Sequence, residues 1–146
     1  MPTLLKQDLS QVSYTGEISQ ISPLLLDEYQ TIGYSLTLED IELILVQDFT
    51  FYAGWAITQV QRSSDQFINS KTMISIGEWG IIEPVIRAHI DFMHAQRMEG
   101  SSALGGERFG LDTSTARQNY EIAKQEMKGN AFVEPVFTLD YDYIKP

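Results

Sequence analysis

SIGEWGIIEPVIRAHIDFMHAQRME, residues 75–99, is the stretch whose reading decides the fold. Ser75 and Glu78 have the spacing of a capping box, in which hydroxyl and carboxylate each accept from the other residue's backbone amide. Behind that start, Trp79, Ile82, Ile86, His89 or Ile90, and Met93 recur at helical spacing and form one apolar stripe. The pattern predicts a helix from Ile76 to about Glu99. Pro84 falls inside it, and its ring deletes the amide that would bond the Gly80 carbonyl, so a kink is expected there.

Upstream, Thr37-Leu38-Glu39-Asp40 offers a cap hydroxyl followed by two carboxylates, which answer the free amides and positive end of a helix. Leu36 and Ile41 sit at the staple positions around that cap. A helix is expected from 38 to about 48. Residues 49–60 stay ambiguous, because Phe49, Phe51, Ala53, Trp55 and Ile57 also alternate as a strand would. Residues 1–35, with Pro2, Gly16, Pro23 and Gly33 among short apolar clusters, read as an extended N-terminal arm.

Downstream, Gly100, Gly105, Gly106 and Gly110 break the chain. A last helix opens at Asp112 or Thr113 with Ala116, Tyr120, Ala123 and Met127 on its buried face. Gly129-Asn130 reads as its left-handed cap. In the tail AFVEPVFTLDYDYIKP (131–146), polar and aromatic residues alternate as in a strand. That strand has no hairpin partner, so it pairs either with residues 49–60 or with a sheet of another chain. The expected fold is mainly α: a small antiparallel helical bundle over 36–130, between an extended arm (1–35) and an extended C-terminal tail (131–146).

Composition narrows the function. The chain has 146 residues, no cysteine and a net charge of −10, which excludes disulfides and thiolate chemistry. Between Gln7 and Gln61 there is no Lys or Arg but eight carboxylates. Such a surface repels phosphate, so tight nucleic-acid binding is disfavoured. No apolar run approaches the ~20 residues that span a membrane. The opening MPTLLKQDLSQVSYTG has no apolar signal core. A soluble protein made in the cytoplasm is expected.

Catalytic patterns fail on spacing. His89 and His94 are five apart, so on a helix they diverge by about 140° and cannot share an ion. Asp91 and His94 can meet at spacing three as a polar pair. The loop 104–110 lacks the Lys-Ser/Thr ending of a phosphate-binding loop and reads as a turn presenting Arg108 and Phe109. Ser63-Ser64 and Ser101-Ser102 have no neighbouring base, and no Gly-x-Ser-x-Gly occurs. Glu39, Asp40 and Glu42 complement a helix start and need no metal. No enzyme activity, cofactor or metal is expected.

Residues 77–139, GEWGIIEPVIRAHIDFMHAQRMEGSSALGGERFGLDTSTARQNYEIAKQEMKGNAFVEPVFTL, resemble neck proteins of tailed phages, of the head-completion or head–tail connector type. The resemblance lies in three features. One is the acidic-Trp opening of a Pro-bearing helix (Glu78, Trp79, Pro84). Another is the Glu-, Ser- and Gly-rich helix end leading to Phe-Gly (Glu99, Ser101, Gly105, Phe109, Gly110). The last is a charged helix ending in Ala131-Phe132. The resemblance implies a virion structural protein forming a homo-oligomeric ring between portal and tail or collar proteins. DNA would pass through it without being read. Candidate interface residues are Trp79, Pro84, Arg108, Phe109, Phe132, Phe137, Tyr141 and Tyr143. Two alternatives remain: another tail or baseplate subunit, or a small ligand-binding or enzymatic domain built on His89, Asp91 and Glu99.

Overall fold

The structure, a computed structural model, describes residues 14–55, 67–103 and 112–144, with 102–103 and 132–144 as helical backbone alone. The order is β1 (Gly16–Glu17), α1 (Ile18–Thr31), α2 (Leu38–Ala53), β2 (Met73–Ile74), α3 (Ile76–Ala103) and α4 (Thr113–Ile144). The mainly helical bundle is as expected. The two short strands pair antiparallel, Gly16 opposite Ile74, and bring the start of the chain beside the start of α3.

Helix α3 begins at the expected capping box. The Glu78 amide donates to Ser75 Oγ at 3.2 Å and the Ser75 amide to Glu78 Oε1 at 2.9 Å. The helix continues through Pro84 to Ala103. Trp79, Ile82, Ile86 and Ile90 are buried in the core, whereas His89 and Met93 are only partly covered. Helix α2 carries the Thr37–Asp40 box and extends beyond the expected end, to Ala53. Ile41, Ile44, Leu45, Phe49 and Tyr52 are buried, so the stretch from 49 to 53 is helical. Helical spacing wins over alternation there, because it puts Phe49 and Tyr52 on the same face as Leu45.

The expected arm needs correction. Residues 18–31 form α1, and its Ile18, Ile21, Leu25 and Tyr29 belong to the core. Its cap is Glu17, boxed with Gln20, and the amides of Ile18 and Ser19 donate to the Thr72 and Ser70 carbonyls. Pro23 is accommodated inside it. The helix ends in a Schellman motif: Tyr34 donates to Tyr29 O at 3.0 Å and Gly33 to Gln30 O at 3.1 Å. Gly33 holds φ +100°, which L side chains rarely adopt. Residues 1–13 of the arm lie outside the described residues.

The tail also needs correction. Residues 131–144 continue α4 as helix, through Pro135, instead of forming a strand. A lone strand leaves its amides and carbonyls unpaired, whereas a helix pairs them within the segment. Gly129 is consequently helical, not a left-handed cap. Helices α3 and α4 share the most extensive interface in the bundle. Helix α4 meets the core through Ala116, Ala123, Met127 and Ala131. Small side chains there allow close approach of the two backbones.

The two glycines therefore respond oppositely to the same change. Gly33→Ala forces a side chain into positive φ and is expected to cost about 1–2 kcal/mol. Gly129→Ala, with open space around the new methyl, is expected to stabilise by about 1 kcal/mol. Urea unfolding midpoints measure both, and a destabilised Gly129→Ala would contradict a continuous α4.

Candidate functional site

The most buried charge-bearing group, Asp48, sits in the third turn of α2 and is 1% exposed. Its carboxylate receives two neighbours. His89 Nδ1 on α3 lies 3.0 Å from both Asp48 oxygens, and Tyr120 Oη on α4 donates to Oδ1 at 2.8 Å. The Tyr120 ring stacks on the His89 ring with centroids 4.4 Å apart. One carboxylate thus joins three helices. Burial pushes the Asp48 carboxyl above its usual range, against the opposing pull of His89, Tyr120 and Lys124. Tyr120 is likewise raised, by burial first and then by the Asp48 charge.

Chemically, an Asp–His pair fixes which imidazole nitrogen carries the proton. With Asp48 ionised, that proton lies on Nδ1 and Nε2 is the basic atom. The arrangement could serve acid–base chemistry if a substrate reached Nε2. It also suffices as a polar tie inside a bundle.

A second network joins α1 to α3. Arg87 donates to Glu28, to Glu83 at 2.9 Å and to Tyr29 Oη at 3.1 Å. Tyr14 donates to Glu28 at 3.1 Å, and burial, followed by the Glu28 charge, pushes its hydroxyl up to about 12. Near the other end of α3, Tyr34 donates to Asp91 at 2.6 Å and stacks on His94 with centroids 3.8 Å apart. The expected Asp91–His94 pair thus has a tyrosine bridging both partners. Burial lowers the His94 imidazole, with Asp91 opposing. Arg97 grips both oxygens of Asp40, and this bond holds the carboxyl down to about 2.

His89 and His94 accordingly serve different networks, as their spacing predicts. Glu99 is exposed on the last turns of α3. The described residues hold no group of three or more His, Asp or Glu that could bind a metal ion. No described helix is long and apolar enough to cross a membrane.

The candidate interface residues fare unequally. Trp79 is fully buried, edge-on to Tyr14 at 5.2 Å, and so is a core anchor with no surface to offer. Its Nε1 has no hydrogen-bond partner among the described residues. Pro84 is exposed and, with Ile81, Ala123, Glu126, Met127 and Asn130, lines an open groove of about 380 Å³ between α3 and α4. Arg108 and Phe109 lie outside the described residues. Phe132, Phe137, Tyr141 and Tyr143 fall on the helical end of α4, not on a strand. The Asp48 constellation escapes sequence reading, because its members are 41 and 72 residues apart. The one available signal is an aspartate on the apolar face of an amphipathic helix.

No family model matches this chain, and no curated protein or solved structure was found to match it.

Two expected outcomes test the tie. Tyr120→Phe deletes one charge-assisted bond to a buried carboxylate and should cost about 2 kcal/mol by urea unfolding. Asp48→Asn should gain on the wild type as pH rises. A carboxyl raised in the folded state contributes stability that is complete below its unfolded value of 3.8 and lost as pH climbs through the folded one. Thermal midpoints of both proteins from about pH 4 to about pH 8 measure this, and a constant gap would show that Asp48 is not raised.

Proposed function

We propose that this chain is a structural subunit of a tailed-phage head–tail junction, repeated as a ring through which DNA passes. The observation that carries the reading is helix α4. It is the longest element, 32 residues, or about 48 Å. Its backbone continues to Ile144. A helix of this length offers a long face to a neighbouring subunit.

Other features support the same reading. The stretch that resembles neck proteins, 77–139, coincides with the α3–α4 hairpin and most of α4. Several buried or half-buried ionisable groups (Glu28, Asp48, Arg87 and His89) tie helices together. A net charge of −10 suits a channel that lets phosphate pass without gripping it. A head-to-tail contact repeated around a rotation axis closes into a ring. In this reading the subunit uses no cofactor.

Light scattering and electron microscopy test the proposal, on the purified protein alone and mixed with portal rings or tail-tube rings. Closed rings, formed alone or on the portal, are the expected result. A strict monomer that ignores both kinds of ring overturns it.

A further inference from the structure

On this acidic chain, Lys124 and Lys128 stand one helical turn apart on α4, and both lie over aromatic rings at the end of α2. Lys124 Nζ is 4.4 Å from the Tyr120 centroid and 5.6 Å from that of Phe51. Lys128 Nζ is 4.6 Å from Trp55 and 5.8 Å from Phe51. Phe51 and Trp55 meet edge to face at 6.4 Å. Trp55 follows the helix end at Gly54 and keeps 42% of its surface exposed. Lys124 also reaches Glu121 at 3.2 Å. The result is a platform of rings with two ammonium groups held above them.

Such a platform suits a segment carrying both carboxylates and aromatic rings. Carboxylates meet the ammonium groups, and rings pack on an exposed indole of the kind that dominates interfaces. The chain itself contains that segment: Asp140, Tyr141, Asp142 and Tyr143, at the end of α4. It is out of reach in the same molecule. Asp140 is twelve residues past Lys128 on one helix, or about 18 Å along its axis. A helix cannot fold back onto its own middle turns, so the partner is another copy.

We propose that the platform of Phe51, Trp55, Lys124 and Lys128 receives the acidic, aromatic end of α4 from a second copy of this chain. The contact joins two different patches, so it is heterologous and propagates from subunit to subunit. The inference rests on the ring reading above and specifies the contact that builds it.

A charge swap in the full-length protein tests it by sedimentation velocity. One variant carries Lys128→Glu. The other carries Asp140→Lys with Asp142→Lys. Lys124 is left in place because it neighbours Asp48. Circular dichroism checks that each variant folds. Each variant alone should self-associate about tenfold more weakly than wild type, since Lys128→Glu cancels the platform's charge and the lysine tail is repelled by both platform lysines. An equimolar mixture should recover association, because the acidic tail of the first variant meets the intact platform of the second, and the new carboxylate at position 128 of the first meets the lysine tail of the second. Wild-type association should also weaken with added salt. If wild type assembles and both variants assemble equally well, this contact is wrong while the ring reading stands. If wild type stays monomeric even with portal rings, both fall. If the platform instead serves nucleic acid, Lys128→Glu will abolish binding of a single-stranded oligonucleotide and leave assembly unchanged, which also overturns the proposal.

Discussion

A carboxylate without water is costly unless its lone pairs are answered, and Asp48 meets that constraint by drawing on two other helices. His89 and Tyr120 both reach it, and their rings stack on each other as they do so. Removing His89 or Tyr120 leaves the buried carboxylate with one partner fewer. The energetic consequence exceeds that of an ordinary surface ion pair, since low local dielectric strengthens both the bond and the penalty for losing it. The relative placement of α2, α3 and α4 depends on this point.

Helix α3 is the common partner of the remaining ties. Through Arg87 it holds Glu28 of α1, through Asp91 it holds Tyr34 in the turn after α1, and through Arg97 it holds Asp40 at the start of α2. The apolar stripe of α3 supplies burial, and its polar flanks supply direction. Hydrophobic burial is non-directional, so the ties select one arrangement among the many that would cover the same surface.

The parts of the fold that were legible in the sequence are those governed by near neighbours. Ser75–Glu78 and Thr37–Asp40 are three residues apart, and both boxes form. Helix α1 is not legible locally, because Glu17 is an unusual cap and Pro23 reads as a breaker. Its Schellman ending, Gly33 with Tyr29 and Tyr34, was the available signal. The tail misled for another reason. Alternation of polar and aromatic residues is compatible with a strand, but none of the described residues pairs with one, and α4 offers an existing helix to extend. The site around Asp48 is set by tertiary packing and has no local pattern. The platform at Trp55 likewise joins residues from α2 and α4 that only the bundle brings together.

Alanine recurs along the buried face of α4 at 116, 123 and 131. Tyr120 and Met127 stand between them, so small and large side chains alternate along that face. The alanines alone would hold the sliding coordinate of α4 weakly. The hydroxyl of Tyr120 must find the Asp48 carboxylate and acts as a detent, and Thr113, bonded to the Ala95 carbonyl, is a second. Two hydroxyl oxygens thus index α4 to its neighbours, one against α2 and one against α3.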